Sequence, residues 1–415
     1  MTSSREEEPQ TKVQEDIFLS LFGGLLDEMD TERIENQSKP ATKAEIRSLM
    51  GSLNGFKYWD NLIEDCRRQV VEYLEYGDRT RLGICSKRDY ATVKSTPLYV
   101  HQIQIYDHDK HHFPISGDEF DNVVVRIQFH PNYYNEMNIH RIFSPLGEDT
   151  RIRWIESKPR KRPANKSIVK ESCNYYMEAV KFAEGWMKWC NFEVENLKVE
   201  MSYYPFETSI IKSFPKCVRF RTIIDEVESF RWWLQKFPNP LRLIQLFLKL
   251  APRAVFILPS DLLDSPQIMT ATRLHLGCRA DFTDEQLRNL NANWICFDSV
   301  NITDQGINQF IKRWVNGSDF DFKKVFLFLS EERNLEEMTR GLVVRQWDAE
   351  FRDEAGDFCR EYEWLLRHGT FVQIPNRVDP YESLTLSFST DRLSIHATGH
   401  RSIRDGITCT EYSPY

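Results

Sequence analysis

Apolar positions in residues 56–105 recur at the three- and four-residue spacing that is typical of short helices. Gly77-Asp78 separates the first two helices, and Thr96-Pro97 ends the third, because the residue before a proline avoids the helical conformation. The apolar positions are Leu62, Cys66, Val70, Val71 and Leu74 in the first helix, Leu82 and Cys85 in the second, and Tyr90 and Val93 in the third. Alternation around Ile103 then predicts a strand. A module of about fifty residues buries little surface by itself, and we therefore expect it to share a core with a neighbour or partner.

Short strands recur from residue 171 onward, and helices separate several of them. The predicted strands contain Val194, Leu197 and Val199; Val218 and Phe220; Phe256 and Leu258; Leu274 and Leu276; Ile295 and Phe297; and Val325 and Leu327. Their spacing is irregular. Residues 171–415 are therefore predicted to form an irregular leucine-rich-repeat-like domain, in which a sheet is backed by helices.

Four helices are predicted between these strands. Their markers are the periodic run Met177, Val180, Ala183 and Met187; the pair Asn239-Pro240 at a helix start; Thr283 with Gln286 as a capping box; and Thr303 as a further start. The last helix places Ile307, Phe310, Ile311, Trp314 and Val315 on one face, and Gly317 follows it where a left-handed cap belongs. This apolar stripe predicts that Trp314 is a core residue.

The remaining segments are more polar. Residues 1–55 resemble an acidic, largely disordered tail, with a possible short helix at 16–29 that either docks on a partner or packs loosely on the body. Residues 106–170 are expected to be a strand-containing connector. It ends in a loop with five basic residues and two prolines between Lys158 and Lys166, either a solvated linker or a contact for an anionic partner.

Composition and charge exclude several classes of protein. The chain has 415 residues, 41% of them hydrophobic, which excludes a wholly disordered protein. No apolar run reaches the roughly 18–20 residues that a membrane-spanning helix needs. The net charge is −8, and the first forty residues, with ten acidic and four basic side chains, carry −6 of it. A field that would attract nucleic acid to the whole protein is therefore not expected.

The sequence gives little evidence for a catalytic or metal-binding site. The run YDHDKHHF clusters His108, His111 and His112 with two aspartates, but it lacks the spacing of a metal site and is better interpreted as a solvated loop. No nucleophile elbow, phosphate-binding glycine loop or dinucleotide fingerprint occurs. The nine cysteines form no C-x-x-C pair, which favours free, mostly buried thiols, and Cys85 is expected to be packed rather than reactive. No cofactor and no metal are predicted, although an enzyme with dispersed catalytic groups stays open.

Residues 59–105 resemble an F-box of the large nematode type. The resemblance rests on Trp59 and Leu62, the run CRRQVVEYL, the run LGICSK and the TPL that leads into a strand. It implies a three-helix module that docks on the Skp-family adaptor of cullin-based SCF ubiquitin ligases. One departure is that Ile63 stands where many F-boxes carry a proline. The resemblance implies that the adaptor-facing apolar surface consists of Leu62, Ile63, Val70, Val71, Leu74, Leu82 and Cys85.

A second resemblance covers residues 282–330. The Ile302-Thr303 pair before a helix, the run FIKRW, the Asn316-Gly317 stop and the strand after it are similar to the second type of F-box-associated domain in nematode proteins. Asp405-Gly406 resembles the turn of a closing hairpin. In that family the associated domain is taken to recruit target proteins.

Together these observations predict an α+β to α/β protein, with a small N-terminal three-helix F-box before the repeat-like domain. The expected function is that of a non-catalytic, substrate-recruiting subunit of an SCF-type E3 ubiquitin ligase. Its expected partners are a Skp-family adaptor, a cullin through that adaptor, and an unknown protein target, without nucleic acid or membrane. The expected localisation is intracellular, in the cytoplasm, the nucleus or both. The alternative is a non-enzymatic interaction module with a degenerate F-box that does not act in ubiquitin transfer.

Overall fold

The computed structural model describes most of the chain from Trp59 onward. The described residues are 59–72, 74, 76–108, 121–129, 138–154, 167–224, 226–248, 256–317, 322–328, 333–366, 370–389, 392–404 and 406–413. The predicted tail with its helix at 16–29, the basic loop and residues His111 and His112 lie outside these ranges. The chain divides into two compact units, Met1–Leu98 and Tyr99–Tyr415.

The described part of the first unit contains the three predicted helices. A single 3-10 turn, Trp59–Asn61, precedes them. The helices are α1 (Glu64–Glu72), α2 (Tyr76–Gly83) and α3 (Lys87–Ser95). Glu64 and Asp65 lie in the first turn of α1, where carboxylates interact favourably with the helix dipole. The helix therefore begins at Glu64 although Ile63 replaces the proline that many F-boxes have.

The seventeen described strands all belong to one sheet of the second unit. In chain order they are β1 (Val100–His108), β2 (Asn122–Gln128), β3 (Ile139–Leu146), β4 (Asp149–Trp154), β5 (Ser167–Lys170), β6 (Val194–Glu200), β7 (Arg219–Ile223), β8 (Leu243–Phe247), β9 (Ile257–Leu258), β10 (Arg273–Ala280), β11 (Trp294–Ser299), β12 (Lys324–Phe328), β13 (Arg345–Gln346), β14 (Thr370–Pro375), β15 (Ser383–Phe388), β16 (Arg392–Arg404) and β17 (Ile407–Tyr412).

Helices occupy most of the connections between these strands. They are α4 (Tyr175–Trp189), α5 (Val227–Leu234), α6 (Ser260–Leu263), α7 (Pro266–Met269), α8 (Asp284–Asn289), α9 (Asp304–Val315), α10 (Leu335–Met338), α11 (Ala349–Glu354) and α12 (Gly356–Leu366), with a 3-10 turn at Phe206–Thr208. The capping box of Thr283 and Gln286 is present at α8, and Thr303 caps α9. Gly317 follows α9 with a φ of 72°, as its predicted position as a left-handed cap requires.

The centre of the sheet consists of seven parallel strands, β1, β6, β7, β8, β10, β11 and β12, in that order. From β6 onward this order follows the chain. One row of paired, fully buried side chains crosses these strands; it contains Leu197, Phe220, Ile244, Leu274, Ile295 and Val325. Trp233 of α5 packs on Phe220, with ring centroids 5.6 Å apart, so the row belongs to the helix-covered face.

The opposite face of the same strands is half-exposed. The burial pattern of β10 alternates strictly between buried and less buried positions along its eight residues. Such alternation gives a sheet one apolar face in a core and one face toward solvent. Beyond β12 this second face acquires a cover, as described next.

Helices α11 and α12 cover the sheet beside β12, β14 and β16. Their side chains form a buried cluster with Trp347. Its members are Trp347, Phe351, Ala355, Phe358, Cys359 and Tyr362, packed against Phe326, Phe371 and Tyr412. His396 lies between Phe326 and Tyr362 and contacts the edges or faces of both rings, at centroid distances of 4.8 and 5.4 Å.

The segment expected to be a connector is instead an integral part of the sheet. Strands β2 to β5 form an antiparallel meander that pairs with β1. Helix α4 packs against this meander, and Phe182 lies 5.6 Å from Phe143. Because the meander and the parallel strands share one core, the unit starts at Tyr99 rather than at residue 171.

One predicted helix is wrong. Residues 239–242 are not helical, and the chain continues into strand β8. The alternation of Ile244 and Leu246 lets β8 pair with β7 and β10 on both sides. That pairing outweighs the local helix-start signal of Asn239-Pro240, and the Asn239 side chain donates instead to the Pro215 carbonyl at 2.7 Å.

Candidate adaptor-binding surface

A buried polar link joins the start of the F-box-like module to its third helix. The Trp59 indole N–H donates to Asp89 Oδ1 at 2.6 Å, and Ser86 Oγ donates to Asp89 Oδ2 at 2.7 Å. Ser86 is also the N-cap of α3, since its Oγ accepts the Asp89 N–H at 3.0 Å. Thr92 adds a bond to Glu64 Oε1 at 2.9 Å, which joins α3 to α1.

Arg79 fixes the other end of the module. Its side chain is buried and donates to the backbone carbonyls of Leu74, Glu72, Thr96 and Pro97, at 3.0, 3.2, 3.2 and 2.8 Å. Burial lowers the pKa of Arg79 to about 10, so the guanidinium stays charged at neutral pH. An arginine has five N–H donors and can make such a set of contacts. Arg79 thereby links the end of α1 to the residues that follow α3.

The residues predicted to face an adaptor differ in exposure. Ile63 is 68% exposed, and Cys85 is also exposed. The half-buried members of the set are Leu62, Val70, Leu74 and Leu82. Val71 has no exposed surface, because it lies about a quarter-turn around α1 from Val70, and we assign it to the interior of the module.

Ile63, Cys66 and Val70 share one face of the first helix. Their spacing of three and four residues places them one above another along α1 and its start. The Ile63 carbonyl accepts the Arg67 N–H at 3.1 Å, so Ile63 stands at the position that immediately precedes the helix. Helix α1 therefore carries an apolar stripe that is exposed at its N-terminal end, at Ile63.

Sequence reasoning missed one apolar side chain of this surface and misjudged another. Ile84, in the turn that follows α2, is 50% exposed. Ile84 lies outside the helical spacing that identified Leu82 and Cys85. The one feature of the sequence that could have indicated its exposure is the occurrence of a large aliphatic residue in a turn. Cys85 was expected to be packed but is exposed, and its thiol donates to the Arg81 carbonyl at 3.3 Å.

The described residues contain no group of three or more histidine, cysteine or acidic side chains arranged to hold a metal ion. In the same ranges, no helix is long and apolar enough to span a membrane. The described part of the module presents an apolar surface, and the hydrogen bonds of Asp89 and Arg79 hold the helices beneath it in place. Such a surface is suited to binding another protein.

Comparison with known proteins agrees with both regions singled out in the sequence. The family model described as F-box domain matches residues 59–101, and the model described as F-box associated matches residues 266–324. An uncharacterized F-box protein of Caenorhabditis elegans is 40% identical over 384 residues, which cover 92% of this chain and 99% of that protein.

The chain belongs to the F-box protein family. The matched 59–101 segment coincides with the three helices and the start of β1, and the matched 266–324 segment runs from α7 to the first residue of β12. Neither family model describes an enzyme. An F-box with an F-box-associated region is the composition of a substrate-adaptor protein, and such proteins are generally non-catalytic.

Proposed function

We propose that this F-box protein is the substrate-recruiting subunit of an SCF-type E3 ubiquitin ligase. In this proposal the module of residues 59–98 binds a Skp-family adaptor and, through it, a cullin, while residues 99–415 bind a target protein. The complex acts in the cytoplasm, the nucleus or both. The observation that carries the proposal is the exposed apolar surface of the three-helix module.

The energetics of that surface favour a protein partner. Two isoleucines, Ile63 and Ile84, are 68% and 50% exposed. Complete burial of a fully exposed isoleucine side chain contributes about 1.5–3 kcal/mol, so burial of the fractions of both side chains that are exposed supplies roughly 2–3.5 kcal/mol before the costs of association. The links through Asp89 and Arg79 hold the three helices in place before binding, which reduces the entropy lost on association.

The second unit supports the other half of the proposal. Its parallel strands β6 to β12 succeed one another in chain order, with helices on one face, so we propose an irregular leucine-rich-repeat-like solenoid. Solenoids of this type present long surfaces to other proteins. A bridge between target and ligase needs no chemistry of its own, because it raises the effective concentration of the target near the ubiquitin-carrying enzyme.

The proposal is tested by co-purification of the full chain with a Skp-family adaptor. Variant Ile63→Asp with Ile84→Asp should lose the adaptor, because each carboxylate would have to be desolvated in the interface. Both positions are exposed, so the variant should stay folded. Gln69→Asp is the matched control, since it adds a carboxylate at an exposed site of the same helix and should leave binding intact.

A second pair of substitutions, Val70→Asp with Leu74→Asp, should also abolish adaptor binding while the second unit stays folded. Retention of the adaptor by both double variants would contradict the assignment of this surface. Failure of the parent chain to bind any Skp-family adaptor would instead favour the alternative function, an interaction protein with a degenerate F-box. The substitution of Ile63 for the usual proline is the observation that keeps this alternative in view.

A further inference from the structure

The half-exposed face of the parallel strands carries a concentration of basic side chains. We call it the basic sheet face and define it by six residues: Lys198, Arg219, Arg221, Arg273, Arg279 and Lys324. Strand pairing aligns Lys198 with Arg221, and it places Arg219, Arg273 and Lys324 in one row across β7, β10 and β12. These side chains are exposed or half-buried.

The charge of this face is opposite to that of the whole chain. The same face of strands β6 to β8 and β10 to β12 carries two carboxylates, Glu200 and Asp298, against six basic residues. Arg221 pairs with Glu200 at 2.5 Å. Lys198, Arg219 and Arg273 form no ion pair with any described carboxylate. A chain of net charge −8 thus concentrates positive charge on one surface.

The basic groups are close enough to repel one another. Burial lowers the pKa of Lys198, and the nearby charges of Arg221, Arg126 and Arg219 lower it further, whereas the Glu200 carboxylate raises it. Burial and the charge of Arg273 likewise lower the pKa of Lys324. Like charges held together in this way favour the binding of an anionic partner, which relieves the repulsion.

Aromatic rings contact two of these basic side chains. The Arg221 guanidinium lies 4.9 Å from the centre of the Phe247 ring, and Lys324 Nζ lies 5.6 Å from the centre of the Trp294 ring. His275 contacts both Phe247 and Trp294, at centroid distances of 5.0 and 5.3 Å. Tryptophan and arginine are the residue types that most often dominate binding energies at protein interfaces.

The dimensions of the face fit an extended peptide. Six neighbouring strands, β6, β7, β8, β10, β11 and β12, lie about 4.8 Å apart, so the face spans roughly 24 Å across the strands. An extended chain rises about 3.3 Å per residue, so about seven residues cross it. Beyond β12 the cluster of Trp347 and Tyr362 covers this face of the sheet and ends the binding surface.

We infer that the basic sheet face binds an extended, aspartate- and glutamate-rich segment of the target protein. This inference rests on the proposed function, because it assigns the target-binding surface of the second unit. Carboxylates of the segment would contact Lys198, Arg219 and Arg273, and its apolar atoms would contact Trp294 and Phe247. The occupant is identified by charge complementarity.

The test measures the binding of a fluorescent peptide to the full chain by anisotropy. The probe is a nine-residue peptide in which aspartate and glutamate alternate with serine and glycine. Arg219→Glu with Arg273→Glu should weaken its binding by about tenfold or more, because charge contacts across an interface are lost and replaced by repulsion. Added salt should weaken binding by the parent as well.

The matched control reverses two arginines elsewhere in the second unit. Arg340→Glu with Arg360→Glu changes the net charge equally at two exposed sites, one in the turn after α10 and one in α12, and should leave peptide binding unchanged. Equal loss in both double variants, or no binding by the parent at low salt, would overturn the inference. Binding of a phosphoserine peptide or a single-stranded RNA, without binding of the carboxylate peptide, would overturn it too.

Adaptor capture by the same variants separates this inference from the proposed function. Arg219→Glu with Arg273→Glu should still bind the Skp-family adaptor, because both substitutions lie in the second unit. Loss of the peptide with retention of the adaptor supports the inference. Peptide binding by a parent chain that captures no adaptor would contradict the ligase proposal and leave the acidic-peptide site in place.

Discussion

His396 makes the stability of the second unit depend on pH in a way that one substitution should remove. The imidazole is 3% exposed, and neither ring nitrogen has a hydrogen-bond partner among the described residues. It packs against Phe326 of β12 and Tyr362 of α12, and Lys324 neighbours it in the strand register. Burial, with the Lys324 charge as a second cause, lowers the pKa of His396 to about 3. We consider the variant His396→Phe, which keeps an aromatic ring at this position.

The sign of the effect follows from proton uptake. A histidine in the unfolded chain has a pKa near 6.5, so below that pH the unfolded state binds a proton that the folded state excludes. The contribution of the neutral His396 to the free energy of unfolding is therefore complete above about pH 6.5, and it is lost progressively as the pH falls toward 3. Between pH 7.5 and pH 5 the loss from His396 amounts to about 2 kcal/mol, since each pH unit below 6.5 costs about 1.4 kcal/mol.

The assay is urea unfolding of the full chain at pH 7.5 and pH 5, followed by tryptophan fluorescence. The parent should lose about 2 kcal/mol more than His396→Phe between the two pH values. His400→Phe is the control for the loss of a histidine, because it makes the same substitution at a half-exposed position of the same strand. An unchanged pH dependence in His396→Phe would refute the assignment of a neutral, buried imidazole.

Two further substitutions test the packing of helix α9. Trp314 is 8% exposed, which confirms its predicted place in the core, and Trp314→Ala should cost about 3–5 kcal/mol in urea unfolding of the full chain; a variant that unfolds like the parent would make Trp314 a surface residue. A Cβ at Gly306 would overlap the Asp284 carboxylate, which accepts the Thr303 N–H at 2.8 Å, so Gly306→Ala should lower the free energy of unfolding by about 1–3 kcal/mol. Gly185→Ala is its control, since no atom other than the nearby backbone of its own helix lies within 4 Å of the new Cβ, and it should stabilise α4 by about 0.5–1 kcal/mol; equal effects at both glycines would contradict the steric reason.

Local signals predicted the elements that are amphipathic by themselves. The three helices of the F-box, the run of short parallel strands and the caps of α8 and α9 all follow from residues close in sequence. Strand β8 was missed, because the helix-start signal of Asn239-Pro240 is local while the partners of β8 are two other strands. The meander of β2 to β5 was assigned to a connector for a related reason: β1 joins it to the parallel strands by pairing with β6, and these two strands are far apart in the chain.

The adaptor surface was predictable as a region but not residue by residue. Helical spacing groups Val70 with Val71, yet only Val70 retains exposed surface, because the two side chains point in directions about 100° apart. Ile84 lies in a turn and follows no periodic pattern. The basic sheet face could not be derived from the sequence either, since its charges come from four strands that only folding brings together.

The outermost strands give the large sheet a consequence for assembly. Two of the strands that pair on one side only are short: β5 has four residues and ends in Lys170, and β13 has two residues, one of them Arg345. Short edges with charged side chains offer little backbone to a strand from another chain, and long bare edges are where sheets aggregate. At β5 and β13, a sheet that contains seven parallel strands is therefore poorly suited to pairing with a second copy of itself. At these two edges, contact with another chain would depend on side chains rather than on backbone hydrogen bonds.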